Sequence, residues 1–300
     1  MDNYLGIDWG GTNIDIGVVN SSGSLIARSV YPTSSNNTKE KFLELLKNVL
    51  ALYSKYNIKA IGIGAPGLID IKNGKIFDLP NVPGWKNYPI SKEFGRSLKK
   101  KVFINNDANV FTLAECKVGL GGHVKNALFF TLGTGLGSGV VINGELLYAR
   151  TSAAELAHIP ITVNGQKCGC GSNGCIETYL GNAYLIRNYK KKTGIKKEIT
   201  VKELYERALL GEKAALSVWE EFSFYFGRFL AGMVNLFNPE VIILGGGVSG
   251  AYNLFKPMVL AHIKRYAMAP LSKGLKIKKA KIKHAGIIGA ALWAASNCAA

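Results

Sequence analysis

Two stretches of this chain follow one plan. "YLGIDWGGTNIDIGVVNSSGSLIARS" (4–29) and "ALFFTLGTGLGSGVVINGELLYAR" (127–150) each read as an apolar strand, a glycine-rich turn, a second apolar strand, a tight turn and a third strand. The second tight turn is Asn-Gly, a strong hairpin signal. Each unit is followed by helical sequence and a further short apolar strand, "AIGIGAPG" (60–67) in the first half and "VIILGGG" (241–247) in the second. Strands alternating with helices predict a mixed α/β fold. The duplication predicts two similar lobes facing one another across a central cleft, a usual place for a ligand.

The rest of the chain supplies the helices. "TKEKFLELLKNVLALYSKY" (38–56) has apolar residues at helical spacing behind a candidate N-cap, Thr38. "ANVFTLAECKVG" (108–119) follows the strand "KVFINND" (101–107). Further helices are expected at about 177–191, 200–210, 213–237 and 252–268, and in "GIIGAALWAASN" (286–297). The expected division is a small lobe over 1–106, completed by a C-terminal helix at 286–300, and a large lobe over 107–285. Three hundred residues are ample for two cores.

The glycine turns carry the first chemistry. In "DWGGT" (8–12), Gly10 and Gly11 let the backbone turn tightly and aim N–H groups into a concavity, and Thr12 adds a hydroxyl. Asp8, ending the first strand, can hold Mg²⁺ directly or through water. "LGTGLGSG" (132–139) repeats the device with Gly133, Thr134, Gly135 and Gly137. One such turn is an ordinary hairpin; two in matched positions suit a polyphosphate gripped from both sides. Gly245, Gly246 and Gly247 follow a later strand and make a weak dinucleotide signal alone, but a plausible adenosine-side contact beside two phosphate turns. No G-x-x-x-x-G-K-[ST] segment occurs.

Asp107 ends a strand where a helix begins, so helix capping and catalysis compete for its carboxylate. Three of the five cysteines lie within "HIPITVNGQKCGCGSNGC" (158–175), as Cys168, Cys170 and Cys175 behind His158. That set supplies the N/S donors of a tetrahedral metal site; a disulfide or a reduced, metal-free loop is the alternative. Cys116 and Cys298 are isolated.

Charge is the remaining oddity. Thirty lysines against seven arginines give most of the formal +17, gathered at 99–101, 190–198 and 276–283. Basic surface attracts phosphate backbones, yet neither arginine forks nor a DNA- or RNA-binding motif is found, and no nucleic-acid partner is expected. "LKIKKAKIKHA" alternates like an edge strand guarded by lysines. No apolar run approaches the roughly 20 residues of a membrane span. "MDNYLGID" has no signal-peptide pattern, so a cytoplasmic protein without membrane association is expected.

Taken in order, "DWGGT", "GAPG", "NND", "LGTGLG", "AELAH", "CGCGSNGCIE" and "LGGG" resemble the ROK family of sugar kinases, relatives of the hexokinases. The resemblance runs over essentially the whole chain. It implies a two-lobed actin-like (ribonuclease H-like) ATPase fold, Mg-ATP on the two glycine turns, and phosphorylation of a hexose, glucose first. Fructose, allose, N-acetylmannosamine and N-acetylglucosamine are the alternative acceptors. The family also holds sugar-responsive repressors with an added N-terminal DNA-binding domain; this chain begins at its first strand, which favours the enzyme. A non-catalytic regulator is the lesser alternative.

By the same resemblance Asp107 is the general base toward the sugar hydroxyl, and Gly64, Gly67, Asn81, Asn106, Asp107, Glu155, His158 and Glu177 shape or contact the sugar site. His158, Cys168, Cys170 and Cys175 hold a structural Zn²⁺, and a homodimer is the expected assembly. One departure stands out: the family's Gly-Glu-x-Gly-His signature reads "AELAH", with Ala154 and Ala157 for glycines, which bears on sugar identity.

Overall fold

A computed structural model describes residues 1–79, 82, 84–119, 124–149, 151 and 154–298. Asn81, expected at the sugar site, lies outside the described residues.

The duplication is visible in the sheets. The first contains β1 (Asn3–Trp9), β2 (Asn13–Asn20), β3 (Leu25–Pro32), β4 (Ile58–Ala65) and β7 (Lys101–Asn106) in the order β3-β2-β1-β4-β7. The second contains β8 (Ala127–Leu132), β9 (Leu136–Ile142), β10 (Glu145–Leu146), β11 (Val241–Gly245) and β12 (Lys276–Lys279) in the order β10-β9-β8-β11-β12. The two orders correspond strand for strand. β5 (Leu68–Asp70) and β6 (Lys75–Asp78) form a small separate hairpin. β12 is an edge strand with Lys276, Lys278 and Lys279 exposed and Ile277 buried, the lysine-guarded edge its alternation suggested.

Two compact units divide the chain, one of Met1–His123, Gly139–Ala154 and Lys281–Ala300, the other of Val124–Ser138 and Glu155–Ala280. The first crossing therefore falls at 123/124, not at the expected 106/107. The physical reason is α3 (Asp107–Ala114), which stays with the first sheet: a Cβ on Gly64 of β4 would lie 2.4 Å from Val110.

In the first unit, α1 (Lys39–Leu52) is capped by Thr38, whose hydroxyl accepts the N–H of Lys41. It packs with α2 (Ile90–Leu98) against the sheet through a cluster of Trp9, Phe42, Trp85 and Phe94. The closing helix, α9 (Ala285–Cys298), lies so close to β1 and β4 that glycine is required beneath it. A Cβ on Gly6 would sit 2.0 Å from the carbonyl oxygen of Ile287, and one on Gly62 would sit 1.7 Å from that of Ala290. Entry to this helix is held by Glu115, 1% exposed, whose carboxylate accepts the N–H groups of Lys281 and Ile282 at 2.8 and 2.7 Å.

In the second unit, α4 (Asn182–Thr193), α5 (Val201–Leu209), α6 (Lys213–Phe237), α7 (Tyr252–Tyr266) and the short α8 (Ala269–Ser272) accompany the sheet. The helix expected over 177–191 is two pieces, a 3-10 turn at Ile176–Tyr179 and then α4. Gly181 sits at the break because a Cβ there would meet the Thr134 carbonyl at 2.6 Å. No described helix is long and apolar enough to cross a membrane.

Candidate functional site

In the first unit the candidate residues gather at the C-terminal ends of β1, β4 and β7. These strands run parallel, with Asp8 level with Gly64, Gly64 with Asn105, and Ala65 with Asn106. Asp8, Gly64, Gly67, Asn106 and Asp107 therefore share one end of the sheet, where parallel α/β sheets place their ligands.

Capping and catalysis do not compete for Asp107 as the sequence suggested. Asn106 is the N-cap of α3, its side-chain oxygen accepting from Ala108 at 2.9 Å and Asn109 at 3.4 Å. Its amide nitrogen donates to the Gly67 carbonyl at 3.2 Å. Asp107 is the first helical residue, and its carboxylate accepts the N–H of Ala108 at 2.8 Å. The buried pair Asn105 and Asn109, joined at 2.9 Å, backs this corner.

Asp107 keeps contact with solvent while protein crowds around it. The lost hydration raises its pKa, and N–H groups of Ala108 and of Asp107 itself draw it part of the way back. Asp8 is pushed up to about 7, first by burial and then by the charges of Asp107 and Asp15. The Asp8 carboxylate lies against Gly286 in the first turn of α9, where a Cβ would fall 2.1 Å from its oxygen.

The first glycine turn is tied down by Thr33, which the sequence did not single out. Its hydroxyl donates to the Gly10 carbonyl at 2.7 Å and its N–H to the Thr12 carbonyl at 2.9 Å, while Gly10 N–H reaches the Asn13 carbonyl at 2.9 Å. Gly11 and Thr12 remain exposed at the tip.

In the second unit the other glycine turn leaves β8, with Gly133, Gly135 and Gly137 half-buried and Thr134 exposed. Gly245 ends the adjacent parallel strand β11, and Gly246 follows at φ +80°, where a Cβ would strike the Leu132 backbone at 2.3 Å. Gly247 opens the 3-10 turn that leads to α7. Both glycine segments thus lie at the same end of the second sheet.

The segment 177–182 braces that turn. Glu177 Oε2 accepts the Leu136 N–H at 3.1 Å, and the Asn182 N–H reaches the Gly133 carbonyl at 2.9 Å. Glu155 precedes a 3-10 turn, Leu156–His158, and its carbonyl accepts the His158 N–H at 3.1 Å. Ala154, where the resemblance places glycine, has φ +63°, a left-handed conformation that strains alanine. Ala157 is buried.

The cysteine loop closes around a point. Its backbone folds through Cys168 N–H to the Ser172 carbonyl (2.8 Å) and Gly171 N–H to the Cys168 carbonyl (3.1 Å). One donor atom from each of His158, Cys168, Cys170 and Cys175 lies within 4.8 Å of all the others. A zinc ion with Zn–S of about 2.3 Å and Zn–N of about 2.0–2.1 Å in tetrahedral geometry needs edges of about 3.6–3.8 Å. Cys170 and Cys175 are 3.7 Å apart at sulfur, and Cys168 Sγ is 3.6 Å from His158 Nδ1. The donor set and spacing fit that ion. Burial first, then its cysteine neighbours, push the Cys168 thiol up to about 12, whereas the Ser172 N–H foremost holds Cys170 below the usual thiol range.

The model of the ROK family fits residues 4–297. The glucokinase of Thermotoga maritima is 33% identical over 302 residues, covering 96% of this chain and 95% of its own. The crystal structure of the ROK hexokinase from Thermus thermophilus superposes with a TM-score of 0.85 at 29% identity, over 98% of each chain. That of a ROK family glucokinase from Streptomyces griseus, in complex with glucose and AMPPNP, gives 0.80 at 29% identity over 98% of this chain and 99% of its own.

Proposed function

This chain belongs to the ROK family, and we propose that it is an ATP-dependent hexose kinase whose leading substrate is glucose. The observation that carries the proposal is the Asn106–Asp107 corner. Asn106 caps α3, which leaves the Asp107 carboxylate at the exposed start of the helix, at a sheet end where ligands bind. The relatives named above are a glucokinase, a ROK hexokinase and a ROK family glucokinase in complex with glucose and AMPPNP, which supports this reading.

In this proposal Asp107 accepts the proton of the sugar hydroxyl as that oxygen attacks the γ-phosphorus and ADP leaves. Asn106, Glu155, His158 and Asn81 orient the sugar. Gly10, Gly11 and Thr12, with Gly133, Thr134, Gly135 and Gly137, offer N–H and hydroxyl donors to the phosphates. Gly245, Gly246 and Gly247 take the adenosine side. Asp8 is the residue that would hold Mg²⁺, which neutralises charge on the transferring phosphoryl group when bound. Positioning and electrostatics carry most of such a reaction.

Zn²⁺ on His158, Cys168, Cys170 and Cys175 would be structural, since four protein ligands leave no position for substrate. Its part is to fix the His158 tautomer through Nδ1 and leave the other ring nitrogen for a sugar hydroxyl or carboxylate. The protein is further proposed to act in the cytoplasm as a homodimer. The sugar is tested by offering Mg-ATP with glucose, fructose, allose, N-acetylmannosamine and N-acetylglucosamine and following ADP. Glucose is expected to give the highest kcat/KM; a higher value for another sugar would reassign the substrate.

A further inference from the structure

We infer that Glu177 is a positioning residue for the nucleotide, acting through the second glycine turn. The resemblance makes it a sugar contact, but its carboxylate has a second address. Oε2 accepts the N–H of Leu136, the residue that closes the turn, at 3.1 Å. The same oxygen occupies the space a side chain at 135 would need: a Cβ on Gly135 would lie 2.4 Å from it. Turn and carboxylate therefore share one space, and a side chain at 135 would have to push the Glu177 carboxylate aside.

Two further contacts extend the brace along the same segment. Asn182 N–H donates to the Gly133 carbonyl at 2.9 Å, and the backbone of Gly181 packs under the Thr134 carbonyl. At its other end Glu177 is two residues past Cys175, and its Oε1 lies 3.6 Å from Cys168 Sγ. The cysteine loop thus sets where Glu177 stands, and Glu177 sets how residues 133–136 present their N–H groups. A phosphate turn works only if those groups are preorganised. The carboxylate–amide bond is charge-assisted, the stronger kind.

The inference rests on the kinase proposal and is tested so that the two can fail separately. The probe is Mg·AMPPNP, a non-hydrolysable ATP analogue, titrated calorimetrically into the zinc-replete protein without sugar. Glu177→Ala is expected to weaken its binding about tenfold. Glu177→Gln keeps the length and one acceptor oxygen for Leu136, and is expected to stay within about threefold of the wild type. Glu177→Asp, which keeps the charge but falls short of the Leu136 N–H and leaves every residue of the turn unchanged, is expected to match Glu177→Ala. It carries the test alone if Glu177→Ala fails to fold.

A sugar-only role predicts unchanged nucleotide binding in every variant, with loss confined to glucose affinity; that result would overturn the inference and leave the kinase proposal standing. Equal loss in Glu177→Gln and Glu177→Ala would overturn it too, because the Leu136 bond would then not be the cause. A wild-type protein that binds no nucleotide would overturn both.

Discussion

Asp8 and Asp107 share one end of the first sheet, where burial foremost and then the charge of Asp107 hold the Asp8 proton up to about pH 7. Neither strand alone brings them together. The parallel register of β1, β4 and β7 does, by aligning Asp8 with Gly64 and Gly64 with Asn105, two positions before Asp107. A site built this way concentrates negative charge that a divalent cation would relieve.

The raised pKa of Asp8 predicts how stability varies with pH in the ligand-free protein. A carboxylate whose folded pKa is raised binds more protons folded than unfolded, so its contribution falls as pH rises from about 4 to about 7. Asp8→Asn mimics the protonated form. It should raise Tm at pH 8 by about 2–4 °C and change it little at pH 5. Equal shifts at both pH values, measured by calorimetry, would show that the Asp8 pKa is not raised in the folded protein.

Activity should run the other way. Asp107 must be ionised to take a proton, and the hydration lost to the protein crowded around it raises its pKa. The kcat/KM profile should therefore climb from acid toward neutral pH, with its acid limb above the ordinary carboxylate range. A profile flat down to pH 5 would mean that no raised carboxylate limits the reaction.

Ala154 sits at φ +63°, where a Cβ costs about 1–2 kcal/mol that glycine does not incur. Glycine's greater chain entropy takes back part of that difference. Ala154→Gly should thus stabilise the protein by about 0.5–1 kcal/mol in thermal or denaturant unfolding. The adjoining Glu155 and His158 make a change in sugar KM the companion readout. A destabilised variant would contradict the left-handed assignment.

Metal content is a direct check on the cysteine loop. Elemental analysis of freshly purified protein should find about one zinc per chain. Cys175→Ser, which alters a fully buried member of the proposed metal cluster, should lose the metal and lower Tm. Cys116→Ala changes a buried cysteine outside the cluster and should keep the metal. Protein free of zinc with intact Tm would refute the site.

What could be read in advance follows the range of the interactions. The glycine turns, the duplicated strands and the cysteine spacing are local patterns, legible because turn chemistry and strand period act within a few residues. The capping by Asn106 was within reach, since it too is local, but "NND" offers two residues for one cap. Thr33 reaches Gly10 across 23 positions, and Gly6 is glycine because of Ile287. Neither relationship leaves any periodic trace. The break at Gly181 likewise exists for the Thr134 carbonyl and shows only once the chain is folded.

The central claim is that this corner of the first sheet transfers phosphate with Asp107 as base. The most direct measurement follows ADP and glucose 6-phosphate from Mg-ATP and glucose, comparing wild type with Asp107→Asn. The account predicts turnover by the wild type, equimolar products, and a loss of about 10²- to 10⁴-fold in kcat for the variant with its fold intact. Undiminished turnover by Asp107→Asn, or none by the wild type with any hexose, would contradict it.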